Sequence, residues 1–247
     1  MVYSGKIYET DGANPVAVHE AEAVRPLSPI PHAPSFRIFR SDLQPEDLVG
    51  VDAEEPNFFY GNPMSLVGAS QLINHPEMSF EVSVLPLVAA VLVGDVYRID
   101  VEEADDAILG ITLVNLLIAR DIERRERRAG VIGRSHDLGG AIGPVLTTPD
   151  ELVEEVQSAE FGRQYSMASV LRVNGVERGR GSLLELPITF AQAIAAASQT
   201  CTLKAGDILA LGPVVTPEDP IVLDPGDEVQ LAVDKLGALS LKLTNPQ

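Results

Sequence analysis

Gly133-Arg-Ser-His-Asp-Leu-Gly-Gly-Ala-Ile-Gly-Pro-Val-Leu-Thr-Thr-Pro-Asp-Glu-Leu152 gathers chemistry-bearing side chains and turn signals into one short stretch. Arg134, Ser135, His136 and Asp137 come first, on a loop punctuated by glycine. Thr148-Pro-Asp-Glu151 then reads as a helix start, with proline at the first helical position and acidic residues near the positive end of the helix dipole. That helix is expected to end before Gly162.

Upstream, Arg124, Arg125, Arg127 and Arg128 form a basic cluster, either a solvated helix end or an anion-attracting rim. Ile111 to Ile118 is β-branched and apolar and reads as a strand. Asp100-Val-Glu-Glu103 has the form of a capping box and predicts a short helix from Val101 to about Leu109. Phe80 to Val93 is a valine-rich apolar run with Pro86 inside it, which predicts a buried strand pair or a bulged strand. Asn57-Phe-Phe-Tyr-Gly-Asn-Pro-Met-Ser-Leu-Val-Gly68 sets three aromatics beside a turn and could wall a pocket. Residues 1–45, held extended by Pro26, Pro29, Pro31 and Pro34, read as a small lead-in, with the main domain over 46–247.

Downstream, Asn174-Gly175 accepts the positive φ angles of a type I′ turn and predicts a hairpin over Val170 to Arg178. Ile188 to Gln199 is rich in helix formers, with Thr189 as a cap. Leu203-Lys-Ala-Gly-Asp-Ile-Leu209 and Leu223-Asp-Pro-Gly-Asp-Glu-Val229 are two similar turn-and-strand units. Together these signals predict a mostly β (α+β), rolled architecture with a few short helices.

With 36 acidic against 18 basic residues, the net charge of −18 speaks against nucleic acid and anionic membrane surfaces as partners. Cys201 is the only cysteine, which rules out an intrachain disulfide and a cysteine-rich zinc site. No apolar run reaches the length of a membrane span, and the first residues lack the pattern of a secretory signal. A soluble, cytoplasmic protein is the expectation.

The order and spacing of several segments resemble the fumarylacetoacetate hydrolase family. They are Asn57 to Gly68, Ala90-Val-Leu-Val-Gly94, Glu102-Glu-Ala104, Ala119-Arg-Asp-Ile122, Arg134 to Glu151 and Leu203-Lys-Ala-Gly-Asp-Ile208. The resemblance implies a mixed β roll, a homodimer and chemistry on β-dicarbonyl or 2-oxo acids. It also implies magnesium or manganese held by a Glu-x-Glu pair before the Val-Gly turn and an aspartate five residues before the Asp of Ala-Arg-Asp.

Here the chain departs from the pattern. Counting back from Gly94 puts Pro86 and Val88 at the two glutamates, and counting back from Asp121 puts Leu116 at the aspartate. None can hold a hard cation, which demands oxygen ligands, so no metal and no cofactor are expected. The family's catalytic histidine and glutamate fall near Phe39-Arg-Ser-Asp-Leu-Gln-Pro-Glu46, with Asp42 at the histidine and Pro45 at the glutamate. Pro213 replaces the threonine of a carboxylate-holding Gly-Thr turn. Arg120 matches the arginine of Ala-Arg-Asp, Arg134 the pocket lysine with its charge kept, and Asp137 the aspartate three residues later.

Two functional readings follow. In the first, a metal-independent enzyme uses Arg134 or Arg120 to stabilise an enolate, with Asp42, Asp137 and His136 moving protons. Arg120, Tyr60, Phe59, Leu116 and Val88 would then line the substrate site. Tautomerisation, isomerisation, decarboxylation, dehydration or cyclisation suits this set better than hydrolysis of a carbon–carbon bond. In the second, the chain is a non-catalytic homologue that binds, regulates or builds. His136 and Asp137 also have plain structural readings, as a hydrogen-bonded loop histidine and a loop-pinning aspartate.

Overall fold

The computed structural model describes residues 2–3, 6–10, 14–20, 23–24, 26–42, 56–158 and 160–245. Strands β1 (Val2–Tyr3), β2 (Lys6–Thr10) and β3 (Pro15–Glu20) make a small sheet. The main elements are β4 (Phe36–Arg40), β5 (Phe59–Gly61), β6 (Leu66–Val67), β7 (Leu72–Asn74), β8 (Val82–Leu92), α1 (Val101–Ala104), β9 (Ile108–Ala119), α2 (Arg120–Arg128) and β10 (Gly140–Thr147). After the β11 (Val156–Ser158) and β12 (Gln164–Tyr165) pair come β13 (Ala168–Val173), β14 (Val176–Ser182), α3 (Phe190–Ser198), β15 (Ile208–Gly212), β16 (Glu228–Val233) and β17 (Gly237–Thr244).

Seven strands form one sheet in the order β5-β4-β15-β8-β9-β10-β6, and five form another in the order β14-β13-β16-β17-β7. The larger sheet is buried on both faces. On one face Val88, Leu113, Leu117 and Leu209 share a core with Leu239 and Leu241 of the smaller sheet and Ile194 of α3. On the other, Phe36, Ile38, Leu66, Leu85, Leu87, Leu116, Ile142 and Ile208 form a second core, with Phe59 packed against it. That core draws on the edge strands β5 and β6 as well as the centre, so the sheet curls around it as a mixed roll. β4 belongs to this sheet, although residues 1–45 read as a lead-in.

Local signals account for several elements. Asn174 and Gly175 take φ of 53° and 77° between β13 and β14. Thr189 caps α3 in a reciprocal capping box with Gln192. The two repeated turn units share one device: Asp207 Oδ2 accepts from Lys204 N at 2.9 Å, and Asp227 Oδ2 from Asp224 N at 2.8 Å. Gly206 and Gly226 supply the positive φ each turn needs, 85° and 101°.

Other elements depart from expectation. The helix expected to reach Leu109 stops at Ala104, passes into a 3₁₀ turn over Asp105–Ala107 and yields to β9 at Ile108. Asp100 makes no side-chain cap bond, and Leu109 to Leu117 carries the apolar pattern of a buried strand. Within Phe80 to Val93 one long strand forms, Val82–Leu92, with Pro86 in its middle and, in its pairing with β9, the irregularity of a bulge between Val91 and Leu92. The Pro86 carbonyl accepts from Val214 N at 2.9 Å, so its ring nitrogen faces the same side. β15 pairs with β8 only as far as Leu211 opposite Val88, so the missing N–H removes no ladder bond there.

Leu116 is 1% exposed and belongs to the core inside the roll. Leu116→Ala is expected to cost about 2–5 kcal/mol as a core truncation, and Leu109→Ala, at a residue 38% exposed, markedly less. Urea unfolding of the two variants checks this, and equal losses would place a void, not a packed core, at position 116.

Candidate functional site

Along β4, Phe36, Ile38 and Arg40 point the same way, since side chains alternate on a strand. The first two enter the roll, and Arg40 closes its mouth with a fully buried side chain. Arg40 Nε donates to Asp42 Oδ1 at 2.7 Å, and its Nη2 donates to Asp42 Oδ2 to complete a fork. Its Nη1 pairs with Glu123 Oε1 and lies 3.1 Å from His136 Nε2. Phe59, opposite Ile38, lines the same face and meets the His136 ring edge-on at 4.6 Å between centroids.

α2 supplies the rest through one of its faces. Arg120, Glu123 and Arg127 stand three and four residues apart and so share a face. Glu123 accepts from Arg120 at 3.0 Å and from Arg127 at 2.8 Å. Arg120 also lies 3.9 Å from Asp42 Oδ2. Among the described residues, Arg40, Arg120 and Arg127 thus meet Asp42 and Glu123 around the His136 imidazole.

The electrostatics follow from burial and pairing. Burial opposes the charge on Arg40, but Asp42 and Glu123 outweigh it and raise its pKa. For Glu123, burial favours the acid, yet Arg40, Arg127 and Arg120 hold its pKa down at about 2. Burial lowers the pKa of His136 to about 4, with the three arginines adding to the effect and Glu123 opposing it. His136 is therefore neutral near pH 7.

The residues singled out from sequence divide into groups. Asp42, Arg120, His136 and Phe59 come together at this mouth. Arg134 is exposed and points to the Met78 sulfur, 4.0 Å away, in a cleft lined by Ile122, Arg125 and Val131 on the opposite face of α2. Asp137 accepts from Asn62 at 2.9 Å and pins its loop. Tyr60 pairs with Arg37 on the other face of the sheet and is 61% exposed. There it stacks on the Arg37 guanidinium, which is ion-paired to Asp207. Arg40, Glu123 and Ser135 were not among the sequence candidates. Pro45 lies outside the described residues.

Leu116 and Val88 are buried in different cores and line no accessible site. The pairing of β8 with β9 also corrects the register of the carboxylate positions. Leu116 stands opposite Leu85, whereas Pro86 and Val88 stand opposite Asn115 and Leu113 on the other face. Side chains able to meet one at position 116 are thus those of Leu85 and Leu87, both fully buried. Three leucines offer a divalent cation no ligand, and no group of three or more His, Cys, Asp or Glu side chains among the described residues could hold one. The metal implied by the resemblance does not fit here.

Residues 37–244 match the family described as fumarylacetoacetate (FAA) hydrolase C-terminal. The chain is 30% identical over 195 residues to the oxaloacetate tautomerase YisK of Bacillus subtilis, covering 76% of this chain and 60% of that longer protein. Its fold is shared with 5-carboxymethyl-2-hydroxymuconate delta-isomerase of Mycobacterium smegmatis, with a TM-score of 0.75, 22% identity and coverage of 98% and 94% of the two chains. It is shared too with fumarylpyruvate hydrolase of Pseudomonas aeruginosa, solved with Mn2+ and pyruvate, with a TM-score of 0.70, 20% identity and coverage of 86% and 90%.

A histidine held neutral makes folding pH-dependent. The unfolded chain protonates His136 near its ordinary value of 6.5, the folded chain only near 4, so its contribution is lost as pH falls through that window. Glu123 adds a loss between its ordinary 4.5 and about 2. The melting temperature is expected to fall below pH 6.5, and His136→Gln, which keeps an acceptor but does not titrate, to move the onset below pH 4.5. A scan of melting temperature from pH 8 to 3.5 checks this, and identical profiles would refute it.

Proposed function

Because the chain belongs to the fumarylacetoacetate hydrolase family, we propose that it is an enzyme that moves a proton between carbon and oxygen of a small enolisable oxo acid without a metal ion. One observation carries this reading. The carboxylate of Asp42 and the guanidinium of Arg120 lie 3.9 Å apart, 24% and 29% exposed, at the rim of an otherwise buried network. A base and a cationic hydrogen-bond donor at one accessible point are the pair that keto–enol exchange needs.

In this reading Arg120 binds the carboxylate or enolate oxygen, and Asp42 takes the proton from the carbon next to the carbonyl and returns it to oxygen. With His136 neutral, the Arg120 guanidinium at the rim supplies the positive charge that meets the substrate anion. His136 is no base, since Arg40 occupies its Nε2 and Ser135 its Nδ1. An oxo dicarboxylate such as oxaloacetate, on which the Bacillus subtilis relative is named to act, is the first substrate to try. The Arg134 and Asp137 roles expected from sequence are not needed for this step. A homodimer in the cytoplasm, acting on a small molecule and not on nucleic acid, completes the proposal. Among the described residues no helix is long and apolar enough to cross a membrane.

A second reading, a binding or regulatory homologue, draws support from the leucines at 85, 87 and 116 and from the hold of Arg40 on Asp42.

The test is enol–keto interconversion of oxaloacetate, followed by the enol absorbance in a non-coordinating buffer with chelator. Catalysis that withstands chelator and falls by about 10²–10³-fold in Arg120→Ala is the expected result. Activity only with added manganese would overturn metal independence, and inactivity in both conditions would favour the second reading.

A further inference from the structure

The mouth of the roll is fixed by a hydrogen-bond chain whose far end lies outside it. Arg40 has only donors to offer, so His136 Nε2, 3.1 Å from Nη1, must accept. The proton of the neutral imidazole then sits on Nδ1 and is donated to Ser135 Oγ at 2.9 Å. With that lone pair engaged, the Ser135 hydroxyl turns its own proton to Glu126 Oε2. The Glu126 carboxylate also accepts from the backbone N–H of Gly133 at 3.1 Å, Arg134 at 2.9 Å and Ser135 at 3.2 Å. Successive backbone donors of this kind form a nest for an anion, and here the chain fills its own nest.

We propose that Glu126 is the positioning residue of this site: through Ser135 it fixes His136 as the Nδ1–H tautomer, which gives Arg40 a neutral acceptor and aligns its fork on Asp42. Without the carboxylate, Ser135 is free to donate to Nδ1. The imidazole can then also carry its proton on Nε2, a form that only Arg40, which cannot accept it, opposes, so both tautomers are populated. The charged groups around the ring are Arg40 from β4 and Arg120, Glu123 and Arg127 from α2, while Phe59 of β5 packs on its edge. The lowered pKa of Glu126 agrees with a carboxylate that stays ionised: burial opposes the charge, and the Ser135 hydroxyl and three backbone donors outweigh it. The consequence for catalysis rests on the proposed proton transfer at Asp42, but the tautomer does not.

The test is long-range proton–nitrogen NMR of protein labelled with ¹⁵N-histidine, with His136 assigned by His136→Gln. The native protein is expected to show a single Nδ1–H tautomer between pH 5 and 8. Glu126→Ala is expected to give mixed tautomers. Glu126→Gln keeps one acceptor oxygen for Ser135 and is expected to retain the native tautomer, which separates hydrogen bonding from charge. In turnover of oxaloacetate, Glu126→Ala should lower kcat by up to about 10²-fold through misplacement of Asp42, with KM little changed. An Nε2–H tautomer in the native protein, or an unchanged one in Glu126→Ala, would overturn the proposal. Should that variant not fold, Ser135→Ala removes only the hydroxyl and is read the same way. The native tautomer together with no turnover would uphold the relay and refute the enzymatic reading.

Discussion

Arg40 enters the roll at the end of β4 with no exposed side-chain surface, and a buried guanidinium is tolerable only when its charge is paired and its donors are satisfied. Its partners come from three places: Asp42 two residues on, Glu123 from α2, and His136 from the 3₁₀ turn over Arg134–His136. Meeting that demand docks α2 and the turn against the end of the strand. Glu123 is held in turn by arginines three residues before and four after it, so α2 is organised by charge more than by apolar contact. Replacing one partner by an apolar residue would leave an unpaired charge inside the protein, a far greater cost than the modest net gain of the intact pair.

The interior below this mouth follows the opposite logic. Carboxylates converging in mid-strand require a cation to offset their repulsion and desolvation. Leu85, Leu87 and Leu116 need none, because each buries its side chain against neighbours on the same face. Where the resemblance implies a centre that depends on a ligand, the described residues form one that packs by itself. Charged groups that can do chemistry stand where β4 and β9 end, at Asp42 and Arg120, within reach of solvent.

Features set by short-range rules were readable from the sequence. The Asn174-Gly175 turn, the Thr189 cap and the paired Asp207 and Asp227 turns each depend on a few adjacent residues. The register of the missing ligands was not, because counting back along β8 from Gly94 cannot tell which of its residues stands opposite Leu116, and that pairing is set only when β8 meets β9. One residue of slip moves a side chain to the other face of the sheet, which is why Pro86 and Val88 stood in for Leu85 and Leu87. Arg40 and Glu123 escaped notice for a similar reason. They are 83 residues apart, and only the docking of α2 brings them together. Leu109 was misplaced in a helix because a capping pattern specifies where a helix begins and not how far it runs before tertiary burial claims the chain.

The neutrality of His136 ties these parts together. A protonated imidazole would set a fourth cation against Arg40, Arg120 and Arg127 and loosen the fork on Asp42, so the network depends on a histidine that serves as a spacer with both nitrogens engaged. What remains partly exposed at the rim is the Asp42 carboxylate beside the Arg120 guanidinium, in a chain whose net charge is −18. The field of the whole molecule repels anions at a distance. Screening confines that repulsion to about 8 Å at physiological salt, so under the proposed function an anion would be held by direct contact with the mouth. Selectivity would then rest on the fit of a carboxylate to Arg120 and of an acidic carbon to Asp42, both of which are set by how Arg40 is held.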